Sequence, residues 1–182
     1  VVLTQLAIGA DQLVARVALV NGWQVVPVLP MPLRFYQSDF SEIDRAGFDR
    51  LLADCSKAIE LPLSRDVSAE QVAQGPARAR QYARAGQWIN RHCHLLLALY
   101  DGGPFSGPGG TADVVADRLS LGARDAFAVS IVQILTPRLR HTKPLENALE
   151  TKTYSFEGHV STGVDPRVLE ALRNRSSITL AL

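Results

Sequence analysis

The stretch Leu95–Val115, LLLALYDGGPFSGPGGTADVV, constrains this chain more than any other. An apolar run, Leu95 to Leu99, stops at Tyr100-Asp101 and gives way to a loop rich in glycine and proline. That loop ends at Gly109-Gly110-Thr111 and opens directly into a helical pattern. Strand, glycine loop and helix N-terminus together are how α/β proteins build anion sites. Unpaired backbone N–H groups and the positive end of the helix dipole converge there, and the missing side chains admit a phosphate. Glycine loops also serve as plain turns. The stretch therefore points to a nucleotide-like ligand without saying what is done to it.

The same alternation recurs upstream. Val1 to Ala7 reads as a strand that turns at Ile8-Gly9-Ala10-Asp11 into a helix, with Leu13, Val14, Val17, Ala18 and Val20 as a broad buried face. Asn21-Gly22 stops that helix, because glycine tolerates the left-handed conformation. Trp23 to Leu29 is an almost unbroken apolar run, suited to a parallel strand covered on both faces. Beyond Pro27, Pro30 and Pro32, residues 33–40 form a polar-aromatic loop at the edge where open α/β sheets bind ligands. Arg34 and Tyr36 suit a phosphate and a base; Phe35, Tyr36 and Phe40 equally suit folding the loop onto the core.

Ser41 to Asp44 starts a helix with Phe48, Leu51, Leu52 and Cys55 inward, ending near Lys57 before the apolar segment 58–63. Residues 64–76 make a polar connection, a candidate lid. The next helix, about Ala77 to His92, sets Tyr82, Ala85, Ile89 and His92 on one face. Its stripe of Arg80, Arg84, Gln87 and Arg91 is read first as a solvated face, and second as a contact for an anion or single-stranded DNA. His92 and His94 have no nearby third ligand, so a core histidine at the helix–strand junction is preferred to a metal site. A helix from Thr111 to Leu121 is expected to bury Ala112, Val115, Ala116 and Leu119 and to stop at Gly122, with a strand from Phe127 to Leu135. Residues 138–163 show no clear period. Asp165-Pro166 then caps a helix, Arg167 to Arg175, with Val168, Leu169 and Leu172 inward. The expectation is α/β: a Rossmann-like three-layer domain with a mainly parallel sheet over residues 1–137. Residues 138–182 are a C-terminal extension packing on it or leading to a further segment.

At 182 residues with 47% hydrophobic content, the chain can bury a sizeable core. Nineteen basic against eighteen acidic residues leave +1, so no charge imbalance calls for nucleic acid or an acidic membrane surface. Apolar runs fall short of the roughly 18 residues that span a bilayer, and no signal peptide is visible. A cytoplasmic chain is expected, with no membrane partner and with Cys55 and Cys93 as buried, reduced thiols. The chain begins without Met inside a strand-like run, which reads as a fragment or trimmed piece with room for functional residues upstream.

Ala7-Ile8-Gly9-Ala10-Asp11-Gln12-Leu13-Val14-Ala15 resembles the G-A-D-x-hydrophobic-A turn of the SLOG superfamily. Val28-Leu29-Pro30, followed by Arg34, Tyr36, Asp39 and Phe40, is similar to the same family. So is Ala98-Leu99-Tyr100-Asp101-Gly102 with Gly109-Gly110-Thr111-Ala112-Asp113-Val114-Val115 behind it. Their order and spacing cover residues 1 to about 135. Members include cytokinin-activating phosphoribohydrolases (the LOG, or "lysine decarboxylase-like", proteins), DNA-processing protein A, amino-terminal domains of TRPM channels and sensor domains of antiphage systems. The resemblance implies a Rossmann-like pocket for nucleotides or nucleotide-derived signals. The family's usual first strand and glycine loop would lie before Val1.

Within that family the phosphoribohydrolases carry P-G-G-x-G-T-x-x-E, whose Glu serves the glycosidic chemistry. Here Pro108 to Val114 is one residue shorter, Val114 stands at the Glu position, and the upstream Arg-Lys pair is missing. Asp113 is a neighbouring carboxylate, but a step of one residue turns a side chain by about 100°. Binding without catalysis is therefore expected, with no catalytic residue, no metal and no cofactor assigned. The resemblance and the loops place ligand contacts at Gly9, Ala10, Asp11, Arg34, Tyr36, Asp101, Gly102, Gly109, Gly110 and Thr111. Asp11 and Thr111 suit helix capping as well. Asp101 is a candidate ribose contact. Asp113 is expected to face away from the loop or toward a sugar hydroxyl, since it would repel a phosphate. Gly109 and Gly110 are the firmest, because a side chain there would block close backbone approach. The expected partner is a nucleotide-derived small molecule, with a homo-oligomer or an effector domain to relay the signal. Two alternatives remain: N-glycosidic hydrolysis using Asp113 or Asp11, and DNA binding through Arg80, Arg84 and Arg91, which the near-neutral charge disfavours.

Overall fold

The computed structural model describes residues 1–104, 107–122, 130–137, 147–154, 160–173 and 179–181. In chain order they form β1 (Val2–Thr4), α1 (Ala10–Val20), β2 (Val25–Leu29), α2 (Leu33–Tyr36), α3 (Glu42–Asp54) and β3 (Ile59–Glu60). Then come α4 (Pro76–His92), β4 (Leu95–Tyr100), α5 (Thr111–Gly122), β5 (Ser130–Leu135), β6 (Thr151–Tyr154), β7 (Val160–Thr162), α6 (Pro166–Arg173) and β8 (Leu180–Ala181). The strands make one sheet in the order β3-β2-β1-β8-β4-β5-β6-β7. Every pairing from β3 to β5 is parallel; β6 and β7 close the far edge antiparallel.

Strand alternation explains the layers. Val2 and Leu3 are successive, so they point to opposite faces. Val2, Val25 and Leu29 pack with Ala15 and Ala18 of α1 and with Phe48 and Leu51 of α3. Leu3, Val28, Leu96 and Ala98 pack with Ile89 of α4 and Val115 of α5. Helices thus cover both faces, and the fold is the expected Rossmann-like three-layer α/β arrangement.

Several local expectations are corrected. The apolar face of α1 is not buried: only Ala15 and Ala18 are, while Leu13, Val17 and Val20 are 58%, 53% and 88% exposed. Two alanines bring the helix close to the sheet along a narrow strip, and the larger side chains fall outside it. Residues 33–39 are not an open loop but α2 followed by a 3₁₀ turn, Gln37–Asp39. In α5, Ala116 and Leu119 face solvent, and the buried side chain beside Val115 is Arg118. Its guanidinium donates to the carbonyls of Asn90, Cys93 (3.1 Å) and His94 (3.2 Å) and so caps the end of α4. Loss of water lowers its pKa.

Ser41 caps α3 as its sequence suggests, its hydroxyl accepting from Asp44 N. Asp165 accepts from Arg167 N at 2.8 Å at the start of α6; Val168 is buried but Leu169 is exposed. The expected strand start, Phe127 to Val129, lies outside the described residues, as do the side chain of Leu172 and residues 174 and 175. The stretch after 137 is more regular than its sequence shows. It supplies the β6–β7 pair, and β8 lies between β1 and β4, so the sheet is continuous across the boundary drawn at residue 137. Among the described residues, no helix is long and apolar enough to cross a membrane.

Candidate ligand cleft

Parallel strands end together, so the loops that follow β1 and β4 open on one edge of the sheet. The helices following these strands lie on opposite faces, and such a change of side leaves a crevice at the carboxyl edge. Two adjoining hollows occupy it. The inner one, about 200 Å³, is bounded by Gln5, Asp11, Leu96, Ala98, Thr111 and Val114. The outer one, about 780 Å³, lies between the N-terminal turn of α4 and the loop Gly107–Gly110, with Asp39 on its wall. Tyr82, Gly109 and Gly110 border both.

Asp11 is the best placed of the expected contacts. Its carboxylate reaches back to the end of β1, accepting from the Thr4 hydroxyl at 3.0 Å and from Gln5 N at 3.1 Å. Removal from water raises its pKa above the usual carboxylate value, against the lowering effect of its bonds from Thr4, Ala7 and Gln5. Its partner in capping is therefore the strand end rather than its own helix, whose N-cap is Gly9 at φ 102° with no side-chain cap bond. Gly9 is exposed and Ala10 half-buried, and neither borders a hollow.

The glycine loop is built differently from the expectation. Gly109 has φ +85°, and a Cβ there would stand 2.5 Å from Tyr82 Cβ and 2.9 Å from Ala79 O. The missing side chain is needed for the loop to lie on α4. At Gly110 the nearest atom to a Cβ would be 3.8 Å away, so that position has room. Asp113 does not face away. Its Oδ2 accepts from Gly109 N at 2.8 Å, so the protein's own carboxylate already holds one loop amide.

Tyr36 and Arg34 are not in the cleft. Tyr36 is fully buried, donates to Gln5 O at 3.0 Å, and meets Phe40, Phe48 and Tyr82 edge-on. Arg34 is exposed and lies over its neighbour Phe35, 4.6 Å from the ring centroid. Asp101 forms a local turn, accepting from Gly103 N at 3.1 Å, and Gly102 packs against Leu135 and Gln133; both lie outside the hollows. The structure therefore gathers Asp11, Gly109, Gly110 and Thr111, and leaves Gly9, Ala10, Arg34, Tyr36, Asp101 and Gly102 beside or beneath them.

Sequence reasoning missed the cluster that shapes the outer wall. Arg78, only 8% exposed, donates from Nε to Asp39 Oδ1 at 2.9 Å, from Nη1 to Val72 O at 2.8 Å and from Nη2 to Phe35 O at 3.1 Å. It thereby ties residues 64–76, the candidate lid, to α2 and α4. The Tyr82 hydroxyl donates to the other oxygen of Asp39. Burial first, and then the Asp39 bond, raise the Tyr82 pKa, so the phenol stays protonated. The available signal was spacing: Arg78 and Tyr82 lie four residues apart on one helical face.

The other candidates resolve as structure. Arg84 is spent on Pro62 O, Ser64 Oγ and Gln81 Oε1 at 3.0, 2.9 and 2.7 Å, which breaks the basic stripe. His92 is exposed and stacked on Trp88, with centroids 3.8 Å apart, and His94 is exposed and accepts from Thr179 N at 3.1 Å. Neither is a core histidine. Among the described residues no group of three or more His, Cys, Asp or Glu side chains is placed to hold a metal. Cys93 is buried, but Cys55 is only half-buried; desolvation pushes both thiols up to about 11.

No family model, curated protein or solved structure matches this chain.

Proposed function

We propose that the cleft binds a nucleotide or nucleotide derivative and that the chain acts as a ligand-sensing domain, of SLOG type and cytoplasmic, without turnover of its own. One observation carries this reading. A two-part hollow lies at the carboxyl edge of the sheet, where its helices change sides, bordered by the glycine loop before α5. That is the position where open α/β sheets take such ligands. The Asp113 carboxylate at Gly109 N disfavours a phosphate close to that amide. The opposite wall, at Gly75 and the N-terminal turn of α4, presents the positive end of a 17-residue helix instead.

One observation favours a second reading, N-glycosidic hydrolysis. Asp11 is a desolvated carboxyl with a raised pKa on a cavity wall, the combination that general acids require. Its commitment to Thr4 and Gln5 makes it the weaker of the two. DNA binding loses its stripe at Arg84.

The test is melting temperature with AMP, ADP-ribose, cyclic ADP-ribose and NAD, followed by chromatography of each nucleotide. A ligand at a hundredfold its Kd stabilises by about 2.7 kcal/mol. A shift with the nucleotide recovered intact, lost in Gly110→Asp, is the expected result. Gly110 has room for a side chain, so that variant obstructs the cleft without disturbing the fold. Released base would transfer the assignment to hydrolysis at Asp11, and the absence of any shift would end the nucleotide reading.

A further inference from the structure

α1 packs on β1, β2 and α3, and it meets the sheet through the narrow strip of Ala15 and Ala18. Its far side is apolar as well. Leu13, Val17 and Val20 are 58%, 53% and 88% exposed. Steps of four and then three residues set them in one row along the helix, the spacing of a seam that pairs two helices. Beside the row lies a groove of about 300 Å³, lined by Val2, Val14, Val17, Ala18, Asn21 and Trp23. The polar side chain among these, Asn21, is turned back on its own helix and donates to Val17 O at 2.8 Å. The two charged residues of α1 are engaged elsewhere. Asp11 is bound at the end of β1, and Arg16 leans toward α3, its Nη2 3.9 Å from where a Gly47 Cβ would stand.

Scattered apolar side chains at a surface need no partner, but a continuous patch marks an interaction site. Leu13, Val17, Val20 and Trp23 together present roughly 500 Å² to water, at the upper end of the about 300–600 Å² that the largest patch on a monomer reaches. A standard interface covers about 800 Å² on each partner, of which roughly 56–65% is apolar. The patch alone therefore supplies the apolar share of one such interface. Two features select a second copy of the chain as the occupant. Ridge and groove lie side by side on one surface, and a two-fold contact requires each copy to offer both halves of the fit. The patch also holds no charged side chain, so a two-fold axis sets no like charges against each other, and a partner recognised by ion pairs finds nothing to pair with.

We propose that two copies of the chain pair through α1 about a two-fold axis at Val17. The two helices run antiparallel, Leu13 of each copy enters the Val17–Asn21 end of the other's groove, and Val20 packs against Val14 across the axis. None of these residues borders either hollow of the cleft, so the pairing is separate from whatever the cleft binds.

The experiment is sedimentation equilibrium of the full chain from low to high micromolar concentration, on wild type, Val17→Asp, Val20→Lys and Ile43→Lys. Ile43 is 87% exposed on α3, outside the patch, and serves as the control. Wild type moves from the mass of one chain to that of two as concentration rises. Val17→Asp and Val20→Lys each weaken the association at least tenfold, because an unpaired charge is brought against apolar surface; Ile43→Lys leaves it unchanged. Each copy has its own core, so dilute Val20→Lys unfolds at the wild-type urea midpoint, which separates loss of pairing from loss of fold. Wild type that stays monomeric throughout overturns the proposal and leaves the patch to a different protein. Association that Val20→Lys does not weaken overturns the α1 seam, and association that continues past two chains overturns the two-fold axis. If Val17→Asp does not fold, Val20→Lys decides.

Discussion

Adjacent glycines in one loop do different work. Gly109 is required by α4, because its φ is positive and any Cβ would strike Tyr82 and the backbone of Ala79 and Ala83. Gly110 is required by nothing in the protein itself. Gly109→Ala should therefore cost about 2–4 kcal/mol by urea unfolding, the sum of left-handed strain and overpacking. Gly110→Ala should stay within about 0.5 kcal/mol. Both glycines stand out in the sequence, but the reason for Gly109 does not, since it lies in a helix more than twenty residues earlier. The thiols make a second prediction at this scale. Their ordinary value is 9.0 and the folded value is about 11, because burial disfavours the thiolate. A folded pKa raised in this way contributes stability that is fully present below pH 9 and lost as the pH rises through 11. The stability difference between wild type and Cys93→Ala, measured by urea midpoint, should thus shift against wild type over that window and stay flat from pH 7 to 9.

Among elements, α1 separates what periodicity can show from what it cannot. The spacing of Leu13, Val17 and Val20 marks a helix correctly, and glycines at positions 9 and 22 bracket it. Which stripe of that helix meets the sheet depends on how closely its axis approaches, and Ala15 and Ala18 set that distance. Val20→Lys should accordingly change stability by no more than about 0.5 kcal/mol, while Ala15→Leu should cost about 1–3 kcal/mol. Thermal or urea unfolding of the two variants checks this directly. Likewise, the helical pattern of α4 is plain in the sequence, but nothing in that pattern singles out Arg78. Its burial follows from Asp39 and from the carbonyls of Phe35 and Val72, partners the local pattern does not contain.

At the scale of the molecule, β8 joins the two halves of the sheet. Ala181 is fully buried and pairs with the level of Leu3 on one side and Leu96 on the other. Ala181→Asp should cost about 3 kcal/mol or more, since an unpaired carboxylate would enter the core. Trp23 and Trp88 report on opposite faces, and Trp→Phe variants that leave one or the other should show coincident, equally shifted urea transitions if the sheet unfolds as one unit.

The sequence by itself determined the alternation of strand, glycine turn and helix, and hence the α/β class and the sheet edge on which the cleft opens. Those signals act over the few residues of a turn or a helical face, so they survive without any knowledge of packing. Tertiary structure alone decided that β8 enters the middle of the sheet and that Tyr36 is core. It also brought Asp39, Arg78 and Tyr82 together as one wall. These outcomes join residues 31 or more positions apart, and they are selected by the burial of the whole sheet and by the pairing of buried polar groups, which no short window of sequence contains.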